Sequence, residues 1–230
     1  MYAIISELDQ DTAVHVMRLW RKLNDACGLE GIFNYPNPHF TWLGAASVQV
    51  EPVQDLFNSI AEQTYTFPVR ITGLDVFRGE APVLYLSLFQ SYSLLNLHKV
   101  LWEKITPFIA DPNPYYAPEK WTPHITLALH DLTNENLDCA IKSVEQESVR
   151  QVSWVNNMAL VEADDGIYQH VVVIDDIDRN HHRDILNHFF DMQKSFSALI
   201  EADKRDAGKN NEYFFNTAIE KNIQIGRAHV

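Results

Sequence analysis

One tetrapeptide pattern occurs twice in this chain, 85 residues apart, and each copy opens an apolar run typical of a β-strand. The two copies are Pro38-His39-Phe40-Thr41 and Pro123-His124-Ile125-Thr126. Because the side chains of a strand alternate between its two faces, the histidine and threonine of each copy point one way and the apolar residues point the other. The chain must therefore bury one face of each strand and keep polar side chains on the opposite face.

The elements predicted around these two strands recur in the same order. The first unit comprises strand 39–45, helix 53–63 and the β-rich runs 67–77 and 82–89; the second comprises strand 124–130, helix 134–147 and the runs 152–161 and 168–175. A strand at 2–8 and an apolar helical stripe up to residue 27 precede the first unit, and helix 94–108 joins the two. We infer an internal duplication, which predicts two lobes related by a pseudo-twofold axis around a shared cleft.

Three segments follow from this organisation. Residues 1–176 form the expected two-lobed α+β domain. Residues 177–224 are predicted to be a helical extension, because apolar residues recur at helical spacing, namely Ile185, Leu186, Phe189, Phe190, Phe196, Leu199 and Ile200. Residues 225–230 match one reading frame of a common sequencing-adapter oligonucleotide, so we treat them as artificial. The native chain could then continue past Gln224.

The charge of the chain limits its partners. Its formal net charge is −13 at pH 7, whereas proteins that hold long nucleic acids usually present a broad basic face. We expect no such face. A nucleotide, a short oligonucleotide or an RNA end remains as ligand, because a local pocket can be basic while the molecule is acidic. Lys120 and Arg78 could supply positive charge near a phosphate, but an ordinary surface charge is the favoured interpretation for each.

The sequence also bears on location. No apolar run approaches the ~18 residues of a membrane span, and the first residues carry Glu7 where a secretory signal carries positive charge. Cys27 and Cys139 are isolated and lack CxxC spacing, which favours two buried small hydrophobic side chains in a reducing cytoplasm. We expect a cytoplasmic monomer without membrane contact.

The histidines outside the two motif strands do not indicate a metal site. His181, His182 and His188 fall on the predicted helical extension, where a solvated face is the favoured interpretation. We expect neither a metal nor a cofactor.

Two histidines that face one cleft can act as an acid and a base. The unperturbed imidazole pKa is about 6.5, so one ring can be neutral while the other is protonated near neutral pH. The neighbouring threonine hydroxyls can donate hydrogen bonds to phosphate oxygens on which negative charge accumulates. Ordinary strand histidines are the plainer alternative, but the matching proline, alternation and position of the two copies favour catalysis.

On these residues the chain resembles the 2H phosphoesterase superfamily, which includes bacterial 2′-5′ RNA ligase-like proteins and cyclic nucleotide phosphodiesterases. The resemblance covers about residues 1–176. It implies a bilobal α+β fold, with antiparallel sheets lining a central cleft and helices outside. It implies His39 and His124 as catalytic residues, with His124 as base and His39 as acid in the opening of a cyclic phosphate. Thr41 and Thr126 would bind the phosphate.

The resemblance also implies an activity. The expected protein is a metal-independent phosphodiesterase that hydrolyses, or reversibly forms, 2′,3′-cyclic or 2′-5′ phosphodiester bonds in nucleotides or RNA ends. Some members carry an arginine shortly after the second motif, where this chain has Ala128-Leu129-His130. The alternative is a module that binds a nucleotide or an RNA end without turnover. An adaptor protein would not need four polar residues at one cleft.

Six further side chains are candidates for lining the cleft. Tyr85 and His170 occupy equivalent places on the two predicted hairpins, and ordinary sheet packing is the favoured interpretation for both. Tyr35, Tyr115, Tyr116 and Trp121 lie on the loops that approach the histidines, where an aromatic face could stack on a base. Loop packing explains each of these four about as well.

Overall fold

The computed structural model describes residues 1–147, 151–164 and 167–174. In chain order these residues form β1 (Tyr2–Glu7), α1 (Gln10–Cys27), β2 (His39–Val48), α2 (Val50–Gln63), β3 (Phe67–Phe77), β4 (Val83–Leu88), α3 (Tyr92–Ile105), β5 (Ile109–Pro112), β6 (His124–Ala128), α4 (Leu137–Val144), β7 (Val152–Val155), β8 (Met158–Asp164) and β9 (Ile167–Ile174). Short 3-10 helices occupy Gly31–Asn34, Thr106–Phe108 and Pro114–Tyr116. The predicted extension 177–224, with its three histidines, and residues 225–230 lie outside the described part.

The described strands form an antiparallel sheet in the order β7-β3-β4-β6-β2-β1-β8-β9, and β5 pairs with β2 off this path. The two histidine strands, β2 and β6, are neighbours near its centre, where Phe40 lies opposite Ile125. The expected α+β fold with antiparallel strands is therefore confirmed. Both histidines open their strands on the same sheet.

The other neighbours of the histidine strands differ from those that the sequence repeat suggests. Strands β3 and β4 follow β2 along the chain, yet they extend the sheet beyond β6. Strands β8 and β9 follow β6, yet they lie beyond β1 on the side of β2. Each half of the sheet therefore contains strands from both repeats. Side-chain alternation predicts which face of a strand is buried but not which strand pairs with it.

The helices cover the apolar faces of the histidine strands. α1 contacts β6, and α3 contacts β2. Val16, Leu19 and Leu23 of α1 are completely buried, and each such side chain contributes about 1.5–3 kcal/mol. α1 begins where the Asp9 carboxylate accepts from the Thr12 amide at 3.1 Å, and it ends at Gly28, whose φ of +68° favours glycine. Among the described helices, none is long and apolar enough to cross a membrane.

The two cysteines form a disulfide. Cys27, the last residue of α1, is bonded to Cys139 of α4, with Cα atoms 6.0 Å apart across a sequence separation of 112 residues. The two helices pack against each other, a contact that isolated positions in the sequence do not reveal. The expectation of two separate buried hydrophobic side chains is therefore wrong. The inference of a reducing cytoplasm rested on unpaired cysteines, so it loses its basis.

Candidate active site

The two motif histidines are held by the same local contact. Nδ1 of His39 lies 2.9 Å from the carbonyl oxygen of Asn37, and Nδ1 of His124 lies 2.7 Å from that of Thr122. Because a carbonyl can only accept, each ring donates from Nδ1. Nε2 is then the ring atom that can take up or release a proton in the cleft, as paired acid–base chemistry requires.

The two motif threonines are also held alike, by indole groups on their backbone carbonyls. Nε1 of Trp121 donates to the carbonyl oxygen of Thr41 at 3.0 Å, and Nε1 of Trp20 donates to that of Thr126 at 3.1 Å. The Thr41 hydroxyl also contacts the phenol of Tyr116 through a hydrogen bond. Each motif strand is thus fixed at both its histidine and its threonine, which orients the polar side chains before any ligand binds.

The four motif side chains, His39, Thr41, His124 and Thr126, line a single cleft of about 670 Å³. Among the described residues that line it, none is an aspartate or a glutamate, whereas Arg78 and Lys120 are both present. In a chain with a net charge of −13, this local balance favours an anionic ligand.

Burial lowers the pKa of both motif histidines. For His39, removal from water is the largest cause, and the charges of His124 and His170 act in the same direction. Its hydrogen bond to a backbone carbonyl and the carboxylate of Glu7 oppose this by raising the pKa. For His124, burial again lowers the pKa and its carbonyl partner raises it. Both rings are therefore biased towards the neutral form, and the negative charge of a phosphodiester would favour protonation.

Of the two residues predicted on hairpins, neither is among the described lining of the cleft. Tyr85 is 4% exposed and lies behind His124, with ring centroids 5.1 Å apart. Its hydroxyl bonds to Asp75. His170 on β9 donates to the carboxylate of Glu7 at 3.0 Å, and Glu7 is the cross-strand partner of His39. Tyr85 therefore packs against a motif histidine and His170 against the neighbour of one, and neither lines the cleft.

All four predicted loop aromatics line the cleft, and ring faces of two of them, Tyr35 and Trp121, are occupied by neighbouring protein rings. Tyr35 stacks on Tyr168 with centroids 4.1 Å apart. Trp121 is 4% exposed and lies between His98, parallel at 3.8 Å, and Trp42 at 5.5 Å. Trp121 therefore positions the first motif instead of presenting a free face to a base.

Two further aromatic rings at the cleft, Phe77 and Trp20, were not predicted from the sequence. Phe77, at the end of β3, lines the cleft and meets His124 edge-on at 4.9 Å. Tyr115, which the sequence did place among the loop aromatics, lines the cleft and is 77% exposed. Phe77 and Arg78 come into the cleft because the β3–β4 hairpin borders β6, and the sequence carried no signal for that pairing. Tyr115 and Lys120 lie on the second approach loop, which did point to the cleft.

The described residues also contain no group of three or more histidine, cysteine, aspartate or glutamate side chains that could hold a metal ion.

Comparison with known proteins gives one family and several distant structures. A profile of the 2′-5′ RNA ligase superfamily matches residues 10–167. Escherichia coli LigT in complex with 3′-AMP is similar at 15% identity and a TM-score of 0.48, over 75% of this chain and 95% of that chain. LigT in its apo form gives 16% and 0.46 over the same shares. Kluyveromyces marxianus Usb1 with uridine monophosphate gives 10% and 0.42, again over 75% and 95%. No curated protein matches the chain.

Proposed function

Since this chain belongs to the 2′-5′ RNA ligase superfamily, we propose that it is a metal-independent phosphodiesterase acting on 2′,3′-cyclic or 2′-5′ phosphodiesters of nucleotides or RNA ends. One observation carries the proposal. Two histidines, each donating from Nδ1 to a backbone carbonyl, line one cleft together with two threonines.

The chemistry needs one proton acceptor and one proton donor. In the opening of a 2′,3′-cyclic phosphate, Nε2 of neutral His124 takes a proton from a water molecule as its oxygen attacks phosphorus in line. The bond from phosphorus to the ribose 2′-oxygen breaks, and Nε2–H of protonated His39 gives its proton to that oxygen. The product is a 3′-phosphate, and both rings return to their starting states by proton exchange with solvent. The reverse sequence forms the bond.

The other lining residues would stabilise charge. The hydroxyls of Thr41 and Thr126 donate to the non-bridging oxygens, where negative charge increases in the transition state. Arg78 and Lys120 supply the positive charge that some family members provide by an arginine after the second motif. Tyr115 offers an exposed ring for stacking on a base.

The test is ester cleavage by purified protein in the presence of EDTA. Substrates are 2′,3′-cyclic mononucleotides and a 2′-5′ dinucleotide, and the variants are His39→Ala and His124→Ala. We expect turnover by the wild type and a loss of at least ~100-fold in each variant, as when a general acid or base is removed.

His130→Asn is the matched control, because His130 is exposed, follows β6 at a φ of 65°, and asparagine tolerates that conformation. It should keep the wild-type rate. Nucleotide binding without turnover would favour the alternative, a binding module. Turnover that survives both alanine substitutions, or that requires a metal, would refute the proposed mechanism.

A further inference from the structure

The residue opposite each motif histidine differs between the two halves of the sheet. On β1, Glu7 is the cross-strand partner of His39. On β4, the cross-strand partner of His124 is Ser87. The two histidines otherwise share the preceding proline, the Nδ1 contact and the following threonine. The two arrangements are nearly the same, but a carboxylate lies opposite His39 and an uncharged hydroxyl lies opposite His124.

Glu7 is tied to the contact that holds His39. Its Oε1 accepts from the side-chain amide of Asn37 at 3.0 Å, and the carbonyl oxygen of Asn37 accepts from Nδ1 of His39. The backbone of Glu7 is itself fixed by Asn157, whose side chain accepts from the Glu7 amide at 2.8 Å and donates to its carbonyl at 2.9 Å. Asn37 thus links the Glu7 carboxylate to the His39 imidazole. Its side-chain amide bonds to the carboxylate, and its backbone carbonyl bonds to the ring.

Building on the proposed function, we propose that Glu7 is the positioning residue that makes His39 the proton donor of the pair and leaves His124 as the acceptor. A carboxylate beside an imidazole favours the imidazolium, whereas a hydroxyl in the same place carries no net charge. The link through Asn37 also fixes the orientation of the ring that must deliver the proton.

Several groups from other elements face His39 and share in its charge balance. Glu7 on β1 raises its pKa, whereas His124 on β6 and His170 on β9 lower it. Tyr35, which precedes β2, lies 5.5 Å away between ring centroids. His170 also donates to Glu7, so a protonated His170 would offset part of the carboxylate's effect. Removing the charge of Glu7 leaves the hydrogen bond to the Asn37 backbone carbonyl to favour the imidazolium of His39, against burial and the charges of His124 and His170.

The first test follows the ring carbons of both histidines by NMR as a function of pH, in full-length wild type and in Glu7→Gln. Glutamine keeps the size of the side chain and removes its charge. We expect the pKa of His39 to fall by about 0.5–1 unit, at the lower end of the effect of a nearby opposite charge because Glu7 is partly exposed. The pKa of His124 should stay unchanged.

The second test is the pH dependence of kcat/KM for 2′,3′-cyclic AMP. The donor must be protonated, so its pKa sets the limb on the high-pH side. That limb should move to lower pH in Glu7→Gln, while the low-pH limb, set by the acceptor, stays in place. Glu7→Asp keeps the charge and should restore most of the wild-type profile, which a purely structural role for the glutamate side chain would not predict.

Glu162→Gln is the matched control. Glu162 is a partly buried glutamate of β8 that accepts from the hydroxyl of Tyr2, at the far end of β1 from Glu7. It should shift neither histidine. An unchanged His39 titration in Glu7→Gln, an equal shift in Glu162→Gln, or movement of the low-pH limb instead would overturn the role of Glu7. A wild type without turnover would overturn the proposed function and the donor assignment together, and the NMR titration would still show whether Glu7 acts on His39.

Discussion

At the scale of single residues, side-chain alternation along two strands that carry the same motif predicted which four polar side chains line the cleft. His39, Thr41, His124 and Thr126 all line one cleft, because each strand buries its apolar residues on the opposite face. Their catalytic and phosphate-binding roles stay predictions. The charge of Glu7 beside only one histidine depends on strand register, which no local pattern specifies, so this residue could not be singled out from the sequence.

The threonine hydroxyls can be tested without disturbing the shape of the strands. Thr41→Val and Thr126→Val remove one donor each, and we expect kcat to fall by about 100-fold with a smaller change in KM, because the donated bond strengthens as charge develops. Thr64→Val is the control, since its hydroxyl donates to the carbonyl oxygen of Ile60 within the protein. Equal losses in kcat for all three variants, measured by steady-state kinetics, would argue against phosphate contact.

His98 predicts a dependence of stability on pH. It is 2% exposed, and burial lowers its pKa to about 4, whereas in the unfolded chain its imidazole has the ordinary pKa of about 6.5. Unfolding therefore takes up a proton between these pH values. The free energy of unfolding should be highest above pH 6.5 and fall as the pH drops towards 4, by on the order of 3 kcal/mol from this group. Urea denaturation of wild type and His98→Gln should show a shallower fall in the variant; parallel curves would contradict this.

At the scale of elements, apolar patterning located most helices and strands but misplaced their interruptions. The predicted run 152–161 is two strands, β7 and β8, separated at Asn156 and Asn157. β5 precedes Tyr116 in a stretch for which the sequence predicts no strand. β6 stops at Ala128, two residues before His130 adopts a positive φ. Such breaks depend on tertiary contacts, whereas periodicity reports only which face of a continuous segment is apolar.

One junction between elements predicts a steric effect. The carboxylate of Asp131, after β6, accepts from the amides of Glu30 and Gly31 at 2.6 and 2.7 Å, and so holds the 3-10 helix that leads to His39. A Cβ on Gly31 would lie 2.6 Å from the carbonyl oxygen of Leu129 and 2.8 Å from Oδ1 of Asp131.

Gly31→Ala should therefore destabilise the protein by about 1–3 kcal/mol, and the shifted loop should also slow catalysis. Gly73→Ala is the control, because a Cβ there meets nothing within 4 Å and the backbone conformation is not left-handed. Thermal denaturation compares the two variants. If Gly31→Ala and Gly73→Ala had the same Tm, the added Cβ at residue 31 would be accommodated without loss of stability, and the prediction would be wrong.

At the scale of the whole molecule, net charge and local charge have opposite signs. The chain carries −13, yet the described lining of the cleft holds Arg78 and Lys120 and no acidic residue. Composition argued against a broad basic face for long nucleic acids and left a nucleotide, a short oligonucleotide or an RNA end as ligand. It could not show that Arg78 and Lys120 line the cleft, because Arg78 reaches it through the pairing of the β3–β4 hairpin with β6, and Lys120 through the fold of the second approach loop. The monomeric state stays a prediction.

This contrast predicts which positive charges matter for substrate binding. The overall field repels an anionic ester, so a cation inside the cleft should lower KM far more than one elsewhere on the surface. Arg78→Gln and Lys120→Gln should each raise KM for 2′,3′-cyclic AMP by about 5-fold, as expected for a partly exposed charge pair worth about 1 kcal/mol. Added salt should raise the wild-type KM and narrow its difference from both variants, since screening weakens the same attraction. Arg21→Gln removes an equal charge from an exposed position on α1 and should leave KM nearly unchanged. If Arg21→Gln raised KM as much as Arg78→Gln, net charge rather than the cleft's own cations would govern binding, and the phosphate contacts assigned to Arg78 and Lys120 would have to be abandoned.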